Sequence, residues 1–241
     1  AVLFQIYMLQ SGKSPIIITL KQLKLKTEVM FNLVKISLGG IGQFLIGTSS
    51  WMFLVRVVSE FGSEVVAGYV LAIRVMMFTI LPAWGMSNAA ATLVGQNLGA
   101  KKPDRAEKSV WITAKYNVAF MLVISIVYIG FADHLVLLFT DDPSVIKYAS
   151  QALRLISTGY IFYGFGMVLT QAFNGAGETK TPTIINLICY WIIQLPLAYL
   201  AAIHFEQGPA AVYISIALAE SLLAVLAFKI FRNGKWKLMK V

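Results

Sequence analysis

Few ionisable side chains lie within the long apolar runs of this sequence, among them Arg74, Arg154 and Glu220. Placed inside a bilayer, each is expensive to keep and so is a candidate for function. Glu220 is the one with reversible proton chemistry, and it can hold a proton or attract a cationic ligand. It can instead pair with Arg74 or another polar group and lock two helices, and that structural role is the stronger expectation. Arg154 lies toward the outer end of its run and is expected to make helix-end contacts there. A second set is uncharged: Gln43, Asn88, Tyr160, Tyr163, Gln171, Asn186 and Gln194, with Trp51 and Trp191 beside them. Such groups recognise lipophilic cations through ring faces and dipoles without desolvating many charges. Singly, each reads first as an interhelical hydrogen bond or an interfacial anchor.

Other chemistries find no support. Cys189 is the single cysteine and stands in an apolar run, so neither a disulfide framework nor a cysteine metal cluster can form. His134 and His204 are far apart and both near the ends of runs, so no metal site is expected. No nucleophile and base share one depth, which argues against an enzyme.

The elements that must position these residues follow from composition. Hydrophobic residues make up 58% of the chain and charged ones 13%, with a mean hydropathy of +0.74, outside the range of soluble domains. Breaking the sequence at polar and turn-rich stretches leaves about six runs of spanning length, near 31–57, 65–95, 109–132, 150–173, 183–203 and 209–231. The predicted fold is therefore all-α, a polytopic six-helix bundle in a lipid bilayer. The charge of +9 does not indicate nucleic acid, because the basic residues sit beside apolar runs and not among base-stacking aromatics.

Alternate loops differ sharply in positive charge. One set holds Lys13, Lys21, Lys24, Lys26, Lys101, Lys102, Arg105, Lys108, Lys180, Arg232, Lys235, Lys237 and Lys240, and the other only Arg56 and Lys147. Basic loops stay on the cytoplasmic side, so the C-terminus is expected there. Ala1 to Leu9 is apolar but about half the length of a span. Residues 1–10 therefore read as the end of a preceding span, 11–30 as a cytoplasmic basic linker, and 31–241 as the six-helix lobe. A longer natural protein is the expectation.

Some residues shape helices. Gly85, Ser87, Ala89, Ala90, Ala91 and Gly95 are small enough to let backbones approach, the main packing device in lipid. Pro82 and Pro196 fall in mid-span and are expected to kink it. Gly175-Ala176-Gly177 reads as a helix C-cap and tight connection, with Pro182 opening the next helix. It lacks the spacing of a phosphate cradle.

The stretch Pro82-Ala83-Trp84-Gly85-Met86-Ser87-Asn88-Ala89-Ala90-Ala91-Thr92-Leu93-Val94-Gly95-Gln96-Asn97-Leu98-Gly99-Ala100 with Arg105-Ala106, the pair Leu153-Arg154, and Ala172-Phe173-Asn174-Gly175-Ala176-Gly177-Glu178-Thr179-Lys180-Thr181-Pro182 together resemble the C-terminal half of the multidrug and toxic compound extrusion (MATE) family. The resemblance implies two six-helix lobes, the N-terminal one lying outside this chain, and an antiporter in the plasma membrane, as in a bacterial inner membrane. It further implies export of drug-like organic cations driven by H+ or Na+, without a cofactor. A flippase for lipids or lipid-linked oligosaccharides, from the same wider superfamily, is the alternative and needs a strongly cationic cavity. Some members bind a cation through acids in the first and fourth spans of this half. This sequence has no acid in either, which favours protons.

Overall fold

The computed structural model describes residues 7–9 and 26–239. Of the expected preceding span only 7–9 are therefore described, and of the basic linker only 26–30; the rest lie outside the described residues. The chain divides into two compact units, Ala1–Leu38 and Gly39–Val241, and the second contains the site.

The helices are α1 (Thr27–Ser59), α2 (Ser63–Gly99), α3 (Pro103–Leu137), α4 (Pro143–Ser157), α5 (Tyr160–Gly175), α6 (Lys180–His204) and α7 (Pro209–Arg232), followed by a 3₁₀ turn at Lys235–Leu238. Among the described residues, five segments are long and apolar enough to cross a membrane, and α4 with α5, bent by 57°, brings the number to six when the pair is taken as one span.

Local chemistry sets the boundaries. Pro103, Pro143 and Pro209 each stand in the first helical position, where the missing N–H is no loss. The Asp142 carboxylate caps α4 by accepting from the Ser144 and Val145 amides at 2.8 and 3.2 Å. Gly177, at φ +75°, turns α5 into α6 in a conformation that a side chain would oppose. The connection expected over Gly99 to Lys108 shrinks to Ala100–Lys102, because α3 starts at Pro103.

The fourth span departs from the single straight helix expected at 150–173. It starts at Pro143 and breaks at Thr158 and Gly159. A Cβ on Gly159 would lie 2.9 Å from the Ala217 Cα, so α5 begins pressed against α7. The Ser157 carbonyl at the break accepts from the Ser125 hydroxyl at 2.7 Å, which removes the penalty of an orphan carbonyl in lipid. By contrast, α2 runs as one helix through Pro82, and the residue that leaves helical dihedrals is Phe131 of α3. Around Pro196, α6 widens to π-helical turns at Leu187–Gln194 and Leu200–His204, which relieves the clash of the ring with the preceding carbonyl.

Packing follows lipid rules. Ala83 and Ala90 are 0% exposed whereas Phe78 is 72% exposed: small residues on α2 let its backbone pack closely. Two apolar layers result, one around Val58, Tyr69, Leu153 and Tyr213, the other around Val94, Leu169, Phe173 and Phe231. A polar tie accompanies them, in which buried Asn117 of α3 donates to the Gly164 carbonyl at 2.9 Å and to Ser87 at 3.3 Å.

Candidate functional site

A cavity of about 690 Å³ opens between α1, α2, α5, α6 and α7. Each element contributes one face. Tyr69, Ile73, Met76, Met77, Ile80 and Trp84 of α2 line it at spacings of three and four, the helical period. Arg74 stands about 100° round the helix from Ile73; it is exposed and lies off the lining.

Along α6 the lining residues are Asn186, Tyr190 and Gln194. A regular α-helix drifts by about 40° for each four-residue step. The π-helical turns counter that drift and keep the three polar groups in one row.

Seven residues singled out from the sequence meet in this cavity: Gln43, Tyr160, Tyr163, Gln171, Asn186, Gln194 and Glu220. Trp51 lines it as well. Asn88 does not; it is exposed, one turn beyond Trp84 and past the last α2 residue of the lining. Trp191 is also elsewhere, donating to the Ile46 carbonyl at 3.2 Å and meeting the Phe53 ring edge-on at 5.4 Å.

Among the described residues Glu220 is the only charged one in the lining. Of the partners expected for it, Arg74 or another polar group, the structure shows the second. The Tyr190 hydroxyl donates to Glu220 Oε1 at 3.0 Å, because Tyr190 lies on the cavity row of α6 and Arg74 points away. At one end of the cavity, Gln43 and Asn174 exchange amide hydrogen bonds of 3.0 and 3.2 Å. Asn174 also donates to Gln171 Oε1 at 3.1 Å, and the Ser50 hydroxyl meets Gln194 Oε1 at 3.5 Å. The site is thus one acid, several amides and an aromatic wall, with no metal-binding cluster among the described residues.

Arg154 sits away from the cavity. It pairs with Asp133 at 2.6 Å and donates Nε to the Ile129 carbonyl at 3.3 Å, in the turn where Phe131 interrupts α3. Of the small residues, Gly175 lies against the Ala91 backbone, whereas Gly85 has nothing within 4 Å of an added Cβ and serves no close approach. Reading the sequence alone overlooked Tyr190, Ser50 and Trp84. Asn186 and Gln194 stand eight residues apart, with Tyr190 midway, and that four-residue period was the signal that could have found Tyr190.

The frame of the site is a multi-pass bundle with a cavity lined by polar and aromatic side chains between its helices. The MatE family model matches residues 41–200, and the chain belongs to that family. It is 27% identical over 200 residues to the "Probable multidrug resistance protein NorM" of Thermotoga maritima, covering 82% of this chain and 42% of that protein. It is 26% identical over 197 residues to human "Multidrug and toxin extrusion protein 1", covering 82% of this chain and 32% of that one. Among solved structures, a MOP superfamily transporter from Pyrococcus furiosus matches with a TM-score of 0.89 at 23% identity, over 96% of this chain and 52% of that chain. A MATE in its straight conformation matches at a TM-score of 0.87 and 25% identity, over the same shares. The chain spans about half the length of the solved transporters it matches.

Proposed function

We propose that this chain is the C-terminal lobe of a secondary active exporter of drug-like organic cations, an antiporter that runs on a proton gradient or, failing that, a sodium gradient. An N-terminal six-helix lobe completes the cavity, and the C-terminus is cytoplasmic. The observation that carries the reading is the lining itself: Glu220 is its only charge, set among Trp51, Trp84, Tyr160, Tyr163 and Tyr190. Ring faces and a single carboxylate favour a lipophilic cation. The carboxylate can hold either a proton or the cation, which makes the two compete and so couples their fluxes. One acid without further carboxylates is a better fit to a proton than to sodium. A flippase for anionic head groups would need basic lining residues, and none is among the described residues that this chain gives to the lining.

The test is transport of tetraphenylphosphonium by the complete gene product in liposomes under an imposed pH gradient. The gradient should drive transport in the wild type, and Glu220→Gln should abolish gradient-driven movement while leaving membrane insertion intact. Full activity in Glu220→Gln would remove Glu220 from the mechanism, and no transport by the wild type would overturn the exporter reading.

A further inference from the structure

We infer that Tyr190 is a positioning residue for Glu220, its phenol holding one carboxylate oxygen in place and thereby setting the pH at which the acid exchanges its proton. The inference rests on the reading of Glu220 as the coupling acid.

The geometry is specific. Tyr190 donates from α6 to Glu220 Oε1 on α7 at 3.0 Å, and both side chains line the cavity. Among the described residues no other hydrogen bond to the Glu220 carboxylate is made and no ion pair reaches it. One oxygen is therefore fixed by a neutral donor, and the other is left to the cavity. The titratable groups that face Glu220 are Tyr160 and Tyr163 of α5 and Cys189 and Tyr190 of α6, which are uncharged at neutral pH in their ordinary forms. With no counter-charge at hand, burial is the first influence on the balance between carboxylate and carboxyl, and the directed phenol is the second.

The same bond joins two helices. A phenol donates strongly to an ionised carboxylate and weakly to a protonated one, so a proton reaching Glu220 loosens the contact between α6 and α7. The row that carries Tyr190 also carries Gln194, which meets Ser50 of α1. The widened turns of Leu187–Gln194 supply that row, in keeping with the frequent occurrence of π-helical turns at functional sites.

The experiment measures tetraphenylphosphonium transport by the complete gene product in liposomes as a function of pH, each variant normalised to its own maximum. The probe has no titratable group, so the profile reports the protein. Tyr190→Phe should displace the midpoint by about one pH unit, the scale of a hydrogen bond to a charged group. Incorporating 3-fluorotyrosine at position 190 keeps the shape and strengthens the donor, and should displace the midpoint in the opposite direction; it also serves if the phenylalanine variant fails to fold. Midpoints that coincide with wild type in both cases, with Glu220→Gln inactive, would overturn the positioning role and leave the coupling role standing. A Glu220→Gln variant with an unaltered pH profile would overturn both.

Discussion

Gly175 of α5 lies so close to Ala91 of α2 that a Cβ built on it would come 2.2 Å from the Ala91 carbonyl oxygen. The obstacle is backbone, which cannot swing aside as a side-chain end can. The two sequence stretches that carry the family resemblance are thus pressed together here, next to the turn at Gly177. Gly95 adds to the same contact, its added Cβ falling 3.2 Å from the Gly175 carbonyl.

Gly175→Ala should therefore destabilise the lobe by about 1–3 kcal/mol, the usual scale of overpacking. Gly85→Ala, with no neighbour within 4 Å, is the control and should be neutral. Thermal unfolding of the purified variants in detergent checks both. Equal melting temperatures would show that α2 and α5 can separate at no cost.

The segment after α7 offers a contrast between burial and charge. Trp236 is 2% exposed, stacks on Phe231 at 4.7 Å and donates to the Phe231 carbonyl at 3.0 Å. Its neighbour Lys237 bonds Glu107 of α3 at 2.5 Å, and that hydrogen bond raises the lysine above its ordinary range. A raised lysine keeps its stabilising charge until the pH climbs past the ordinary lysine value of about 10.4, so neutral-range pH should leave this end unaffected. Trp236→Ala should lower stability by about 3–5 kcal/mol, whereas Lys237→Ala should cost under about 1 kcal/mol. A larger loss from the lysine, measured by the same melting assay, would mean that the ion pair and not the ring anchors the segment.

The apolar spans were legible because lipid demands about 20 consecutive apolar residues and tolerates little else. Their interruptions were not. The break at Gly159 is set by the approach of Ala217, a tertiary contact that no local pattern around position 159 records. Likewise Asn88 and Asn186 look alike in sequence, yet only Asn186 reaches the cavity lining. Glu220 was visible as an isolated acid, but its partner was not, since Tyr190 in an aromatic-rich span carries no mark of its role until α6 and α7 are packed. The widening of α6 depends on hydrogen-bond register around Pro196, which hydropathy does not encode.

The proposed orientation can be tested at two turns that the fold leaves exposed. Lys102 stands in the short turn between α2 and α3, and Asp141 in the turn between α3 and α4. A single spanning helix, α3, separates them, so the two must lie on opposite sides of the membrane. The charge bias places Lys102 with Lys101, Arg105 and Lys108 in the cytoplasm. Cys189, the only cysteine of the sequence, is buried and gives little background to a thiol reagent. In intact cells, a membrane-impermeant maleimide should then label Asp141→Cys and spare Lys102→Cys until the membrane is opened. The reverse pattern would invert the orientation, carrying the Gln43–Asn174 end of the cavity to the outside, and labelling of both in sealed cells would contradict α3 as a span.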